Sequence, residues 1–328
     1  MLQLKNNTPF AATMALFPDR QGIDSLYIVV KASFNIGPQW TLLETQAPPL
    51  SKDVYWGEPE TSSIRYGSDI HIGKPATDIV INGHACASSS STTYRDVSVQ
   101  LGQLGKTIRA YGARVWDKGR VSSPEPFESL PLIYENAFGG QLLRDGEIYD
   151  FDPRNPVGKG LVDETAAPAD GLPLPNIESI HSPIQTPADR PQPEGLGFIA
   201  PNWEPRVSLA GTYDSHWQKN RAPYLPEDFN PGFFNMAHPG LVYPGYLLGG
   251  EPVLIQGMRP DGDMQFQVPQ VKLVSQVFVR NRVENPPFNM ETLVIEPDHL
   301  RLSMIWKAVM RCDKETLKIR AINVNLSR

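Results

Sequence analysis

Few residues in this chain are spaced for chemistry. Asp214 and His216 lie two apart beside Trp217, which suits a general base and the carboxylate that orients it. Asp214 serves equally well as a helix cap, and no nucleophile stands at a strained elbow such as GxSxG, so catalysis is the weaker reading. Gly158-Lys159-Gly160 invites comparison with a phosphate-binding loop. Pro153 stands where the loop's first glycine belongs, and Gly160 where Ser or Thr would meet the metal, so a sharp turn is the better reading. The six histidines, His71, His84, His181, His216, His238 and His299, include no HExxH or HxH spacing, so a metal site would need distant loops to converge. Paired carboxylates with Trp203 and Trp217 stacked on sugar rings would suit glycoside hydrolysis. Nothing in the spacing picks two carboxylates out of 36, and buried packing is the better role for both rings. Arg65, Lys74, Arg114 and Arg206 sit among glycines and prolines, where a long cation ties loops to carbonyls and carboxylates; an exposed Arg206 among aromatics would also suit a partner-binding hot spot.

The totals narrow the classes. With 328 residues, 40% hydrophobic and 20% charged, the chain can bury a sizeable core and is too apolar for disorder. A net charge of −6 with no Lys/Arg run argues against a nucleic-acid binder. Cys86 and Cys312, far apart, read as two free thiols in a reducing compartment, with a single bridge as the alternative. Neither a secretory signal nor an 18-residue apolar run is present, so the expected setting is the cytoplasm, with no membrane partner.

Proline usage shows what must position any site: residues 1–120 hold 7 prolines, 121–240 hold 18 and 241–328 hold 7. Both flanks read as β. Phe10, Ala12, Met14 and Leu16 alternate before a turn at 18–22, and Leu26–Phe34 is apolar enough to be buried on both faces. Thr77–Ile81 reads as a strand, followed by Asn82-Gly83, which suits a type I′ turn or a bulge. Hairpins are expected for 97–101 with 106–110, for 253–255 with 264–268 and for 293–295 with 300–306. A last strand takes in Leu317, Ile319 and Ala321. The proline-rich middle reads as long ordered loops with few short helices, one of them over Ser215–Asn220 under a Thr212 or Asp214 cap and stopped by Pro223. Within it, 197–235 carries Phe198, Trp203, Tyr213, Trp217, Tyr224, Phe229, Phe233 and Phe234. A segment so rich in rings should wrap a packed body and bury them there, and ordered loops of this kind are where binding surfaces are built.

Ordered landmarks run along the whole chain: AsnThrProPhe (7–10), Val29–Phe34, Ser68-Asp69-Ile70, LysProAlaThrAspIleValIleAsnGly (74–83) and GluAsnAlaPheGlyGly (135–140). They continue through AsnProValGlyLysGly (155–160), LeuProAsnIleGlu (174–178), TrpGluProArg (203–206), GlyThrTyrAsp-x-x-Trp (211–217) and LeuProGluAspPheAsn (225–230). In these the chain resembles a bacterial domain-of-unknown-function family whose genes sit beside type VI secretion spike proteins, PAAR-type tip proteins and toxic effectors. Ser33, in place of a more usual Thr, and Cys86 with Ser88–Ser91 depart from the pattern only in packing and turn chemistry. The resemblance implies an adaptor or specialised chaperone that holds an effector, or its tip domain, and loads it onto the spike; it supplies no catalytic residues.

The reading that results is a mainly β protein: an antiparallel sandwich- or barrel-like body from 1–120 and 241–328, in one piece or two, covered by the proline-rich 121–240. The expected function is stoichiometric binding of a secreted effector and of spike or PAAR-type proteins, without catalysis, cofactor, metal or small-molecule substrate. Trp203, Arg206, Tyr213, Trp217 and Tyr224 are the expected protein-binding residues. The alternative is a cell-wall glycan hydrolase or carbohydrate-binding module.

Overall fold

The computed structural model describes residues 3–163 and 169–327. The chain is mainly β, as expected, and no sheet among the described residues closes into a barrel. The two flanks form one body. In the largest sheet the order runs Val242–Tyr243, Thr77–Ile81, Phe288–Glu296, Arg301–Arg311, Asp24–Asn35, Ala11–Pro18, with Thr41–Leu42 pairing beside Asp24–Asn35. A second sheet joins Ile177–Ser179, Leu104–Tyr111, Tyr94–Leu101, Pro252–Gln256 and Met264–Gln267. A third holds Gln3–Asn6, Ile319–Leu326, Leu273–Val279 and Arg282–Glu284. All three contribute side chains to one continuous hydrophobic core. The expectation of antiparallel pairing needs amending at three pairs: Thr77–Ile81 runs parallel to Phe288–Glu296 in the largest sheet, Gln3–Asn6 to Ile319–Leu326 in the third, and Phe138–Gly139 to Lys159–Gly160 in a small two-stranded one.

Period-2 alternation gives the main sheet two unlike faces. Cross-strand register places Leu26, Ile28, Val30, Ala32 and Phe34 on the same side as Leu302, Met304, Trp306 and Ala308. Leu293, Ile295, Ile79 and Ile81 extend that apolar side. The opposite side carries Tyr27, Val29, Lys31 and Ser33, set across from Val309, Lys307, Ile305 and Ser303. Thr292, Val294, Asp78 and Val80 continue it. Most of this polar side is also buried, because loops from 43–75 and from the proline-rich region lie over it. Isolated bridges from Phe198 to Ile64 and to Ala237 stitch that cover together. This is why Asp24–Asn35 is buried on both faces.

Three local expectations need correction. Asn82-Gly83 is neither hairpin turn nor bulge: it carries the chain from Thr77–Ile81 to His84–Cys86, which pairs with Ser129–Pro131. Asn82 Nδ2 donates to the Arg65 carbonyl instead (2.7 Å). Leu317 lies outside the last strand, in a 3₁₀ turn over Asp313–Lys318, with its side chain in solvent. The middle region is not loops alone. Gln141–Arg144 and Glu147–Phe151 form a hairpin whose turn residues Asp145 and Gly146 have φ of 55° and 86°. Left-handed angles at both central positions are those of a two-residue type I′ turn.

A sheet face with buried cations holds only if each cation finds a counter-charge. Replacing Lys307 by Met should leave Glu291 buried and without its ammonium partner, costing about 3–5 kcal/mol. The double replacement Lys307→Met with Glu291→Met should recover most of that. Urea melts of the two variants check the pair; an unchanged midpoint for the single variant would contradict the coupling.

Candidate functional site

The residues with the strongest chemical character gather on the polar side of the main sheet. Lys307 Nζ lies 2.7 Å from Glu291 Oε2, 2.9 Å from His71 Nδ1 and 3.1 Å from His71 Nε2. Glu291 reaches this position because the register shifts between Met290 and Thr292, leaving it as the extra residue of a β-bulge. Its other oxygen accepts from the Lys74 N–H (3.0 Å). Lys74 Nζ donates to Asp78 (2.6 Å) and to Thr292 Oγ1 (2.8 Å), and Asp78 also accepts from Asn235 Nδ2 and the Met236 N–H, both at 2.8 Å. Lys31 pairs with Asp69 at 3.3 Å, and Asp69 accepts from the Leu50 N–H (2.8 Å). Each acidic group in this run meets a cation, and cover-loop backbone N–H groups donate to all three.

Burial sets the protonation states. Loss of solvent brings the Lys307 ammonium down to about 8, against the opposing pull of Glu291. The same loss, with Lys307 and Lys74 nearby, holds His71 well below its ordinary value, so its ring is neutral and stacks on Phe234 with centroids 5.0 Å apart. A cavity of about 370 Å³ reaches Lys307 and Glu291 past Gly73, Tyr246 and Asn289. A second, of about 410 Å³, lies over Lys31 and Ser303, where Tyr66 donates to Glu296 (2.6 Å) and Arg301 also holds that carboxylate (2.6 Å). Chemically, charges paired this closely act as ties. Among the described residues no group of three His, Cys, Asp or Glu side chains is arranged to hold a metal ion, and Cys86 and Cys312 are both free.

The five residues singled out from the sequence divide into two groups. Trp203 is in the core, edge-on to Tyr134 with centroids 5.7 Å apart. Arg206 is buried, donates to the carbonyls of Ile199 (2.7 Å) and Phe233 (2.8 Å), and lies over the Phe233 ring. As partner-contacting residues these two are set aside: both are internal struts. With Trp203 buried, it forms no sugar-stacking platform with Trp217. Arg114 is likewise a tie, held by Glu178 and the Pro175 carbonyl, both at 2.6 Å.

Tyr213, Trp217 and Tyr224 come together on the surface. Asp214 caps the helix Ser215–Asn220 by accepting from the Trp217 N–H (2.8 Å), which takes up the carboxylate expected to orient His216. Tyr213 meets Trp217 edge-on at 4.7 Å, and Trp217 Nε1 donates to the Tyr224 carbonyl (2.8 Å). Tyr213 and Tyr224 remain 53% and 40% exposed, while Trp217 is half-buried. The module is fixed to the main sheet: Arg221 donates to the Arg20 carbonyl (2.6 Å) and Arg20 to that of Glu227 (3.0 Å). The remaining rings of this segment behave as expected, with Phe198 and Phe229 buried and Phe233 and Phe234 half-buried beside them.

Two groups escaped the sequence reading. The Lys307–Glu291–His71 contact left no signal, because a bulge and a distant loop create it. Exposed Leu143, Ile148, Tyr149 and Phe151 on the 141–151 hairpin did leave one, in Asp145-Gly146.

A family model described as "Uncharacterized protein conserved in bacteria (DUF2169)" matches residues 21–307. No curated protein and no solved structure matches the chain. No helix among the described residues is long and apolar enough to cross a membrane.

The buried histidines give a pH signature. His71 and His238 both titrate below the ordinary 6.5 when folded, His238 at about 3, through loss of solvent and, for His238, nearby Lys106. Above pH 6.5 both are neutral in either state and contribute nothing. Below it the unfolded chain takes up protons that the folded chain refuses, so stability falls as pH drops towards 3, by up to about 1.4 kcal/mol per pH unit for each ring. His238→Asn can still accept the Gly240 N–H that His238 Nδ1 takes (3.0 Å). Denaturant melts from pH 7 to pH 4 should show a shallower slope for that variant than for the wild type; equal slopes would contradict the assignment.

Proposed function

We propose that this chain, which belongs to the bacterial family just described, is a non-catalytic adaptor that binds a secreted toxic effector or its PAAR-type tip domain and delivers it to a type VI secretion spike. The landmark motifs that run the length of the sequence motivate the choice of pathway. The observation that carries the mode of action is the locked, exposed cluster of Tyr213, Trp217 and Tyr224.

Tyrosine, tryptophan and arginine dominate protein-binding hot spots, because large rigid rings bury much area and lose few rotamers. Here the backbone that carries the rings is held in advance by the Asp214 cap and the Arg221 tie, and the Trp217 ring by its hydrogen bond to the Tyr224 carbonyl. Pre-ordering lowers the entropy cost of association, which suits a surface that must hold cargo without turnover. A chaperone of this kind needs a stiff body and a contact face. The paired charges under the cover supply stiffness and leave no carboxylate of that run without a cation.

Co-expression with the effector encoded beside this gene, followed by affinity capture, tests the proposal. The wild type should retain the effector, and Tyr213→Ala with Tyr224→Ala should weaken capture by on the order of 10-fold or more while leaving the melting temperature nearly unchanged. Absence of any stable complex with the wild type, or release of a reaction product from cell-wall glycan, would sink the adaptor reading.

A further inference from the structure

The hairpin formed by Gln141–Arg144 and Glu147–Phe151 stands away from all three large sheets. Among the described residues neither strand pairs on its outer side, and every residue of the second strand is exposed. Its apolar content is anomalous for such a place: Leu143 is 63% exposed, Ile148 52% and Phe151 50%.

The register explains how these three come together. Ile148 and Phe151 are three apart, which in a regular strand would put them on opposite faces. The pairing jumps between Leu142 and Leu143, so Leu142 faces Asp150, Leu143 faces Ile148, and Gln141 faces Phe151. The extra residue, Tyr149, turns Phe151 onto the face already holding Leu143 and Ile148. The result is a bare apolar stripe on one side of the hairpin.

The hairpin's other face and its turn give the stripe an acidic frame: Leu142 faces Asp150 and Arg144 faces Glu147 on the far side. Asp145, Glu147 and Asp150 are all exposed, against the single cation Arg144. Arg144 is itself engaged, lying 4.5 Å from the centre of the Tyr149 ring and 3.7 Å from Asp163. Tyr149 donates to the same Asp163.

A two-stranded hairpin is marginal in water on its own, yet this one has a rigid root. Gly140 N–H donates to the Asn155 carbonyl (2.9 Å) and Asp152 N–H to the Gly140 carbonyl (3.0 Å). The fully buried Asn155 side chain donates to the carbonyls of Tyr134 (2.8 Å) and Phe138 (2.9 Å). Gly139 runs at φ 140°, and a Cβ there would meet the Asn155 carbonyl oxygen at 2.1 Å. The arm is therefore held out on a fixed base.

We infer that this arm is a docking surface for an extended, basic segment of a partner protein that adds as a strand or lies along the Leu143–Ile148–Phe151 stripe. Charge selects the occupant. A second copy of this chain would set three carboxylates against three like charges, whereas alternating Lys or Arg and apolar residues would satisfy both stripe and frame. The inference goes beyond the adaptor reading, since it uses none of the Tyr213–Trp217–Tyr224 cluster and does not depend on the partner being a secreted toxin.

The test uses the full chain and an eight-residue peptide of alternating lysine and valine, with the glutamate–valine peptide as control. Calorimetry should show saturable binding of the lysine peptide, weakened by added salt, and hydrogen exchange should show new protection at Gln141–Phe151. Leu143→Ser with Ile148→Ser and Phe151→Ser should weaken binding by on the order of 10-fold or more. Asp145→Asn with Glu147→Gln and Asp150→Asn should do so by a smaller factor and flatten the salt dependence; all these positions are exposed, so both variants should keep the wild-type melting temperature. Three results would overturn the inference: no binding of the lysine peptide, equal binding of the glutamate peptide, or protection outside the arm. So would a concentration-dependent dimer in sedimentation that the serine variant abolishes, since it would hand the stripe to a second copy. These outcomes are independent of effector capture, so either reading can fail alone.

Discussion

Charge on one face of the seven-stranded sheet is the constraint on which the rest of this molecule depends. Lys31, Lys307 and Asp78 project from strands whose other side is apolar apart from Thr77, and all three are buried. Ions removed from water remain only if counter-charges and hydrogen bonds meet them in fixed positions. Asp69, Glu291 and Lys74 provide the counter-charges, and the N–H groups of Leu50, Lys74 and Met236 complete the acceptor sites. Loops that supply such groups cannot wander. The proline-rich cover is therefore ordered by electrostatics at its inner surface as well as by the packing of Phe198, Trp203 and Phe229.

That arrangement links fold to function. A cover locked from beneath can hold outward side chains in order, and both outward features found here are anchored to the body in turn, by hydrogen bonds to backbone carbonyls. The helix Ser215–Asn220 is tied to the loop before Asp24–Asn35 through Arg221 and Arg20. The hairpin at 141–151 is rooted on Gly139, Gly140 and Asn155, next to Tyr134, which packs on Trp203. Internal struts and exposed rings thus belong to one connected structure, in which Trp203 and Arg206 are buried and hold the shape.

Much of the fold could be read from the residues themselves. Alternation over 10–16, 97–110 and 300–306 marks the strands because a half-buried strand imposes period 2 on its side chains. The Asp214 cap and the stop before Pro223 bracket the one α-helix described. The parallel pairing of Thr77–Ile81 was not legible, since nothing local distinguishes a parallel from an antiparallel neighbour when both faces are covered. Glu291 was invisible for a related reason: its role comes from a bulge, and a bulge depends on the partner strand. Among the site residues, Tyr213, Trp217 and Tyr224 were recognisable as large rings in an ordered loop. Their exposure was not, because Trp203 in the same segment has the same composition around it and is buried. Asp145-Gly146 carried a hairpin signal as strong as that at Asp261-Gly262, but its strands show no simple alternation, since the bulge at Tyr149 breaks the period.

The most direct measurement of this account is native-state hydrogen exchange on the full chain. If ion pairs at the sheet face lock the cover, the amides of Leu50, Lys74 and Met236 should exchange only through global unfolding, with the same free energy and denaturant dependence as amides in Asp24–Asn35 and Arg301–Arg311. Exchange of those cover amides through a separate, low-energy opening while the sheet stays protected would show that the loops are not held from beneath, and would contradict the account.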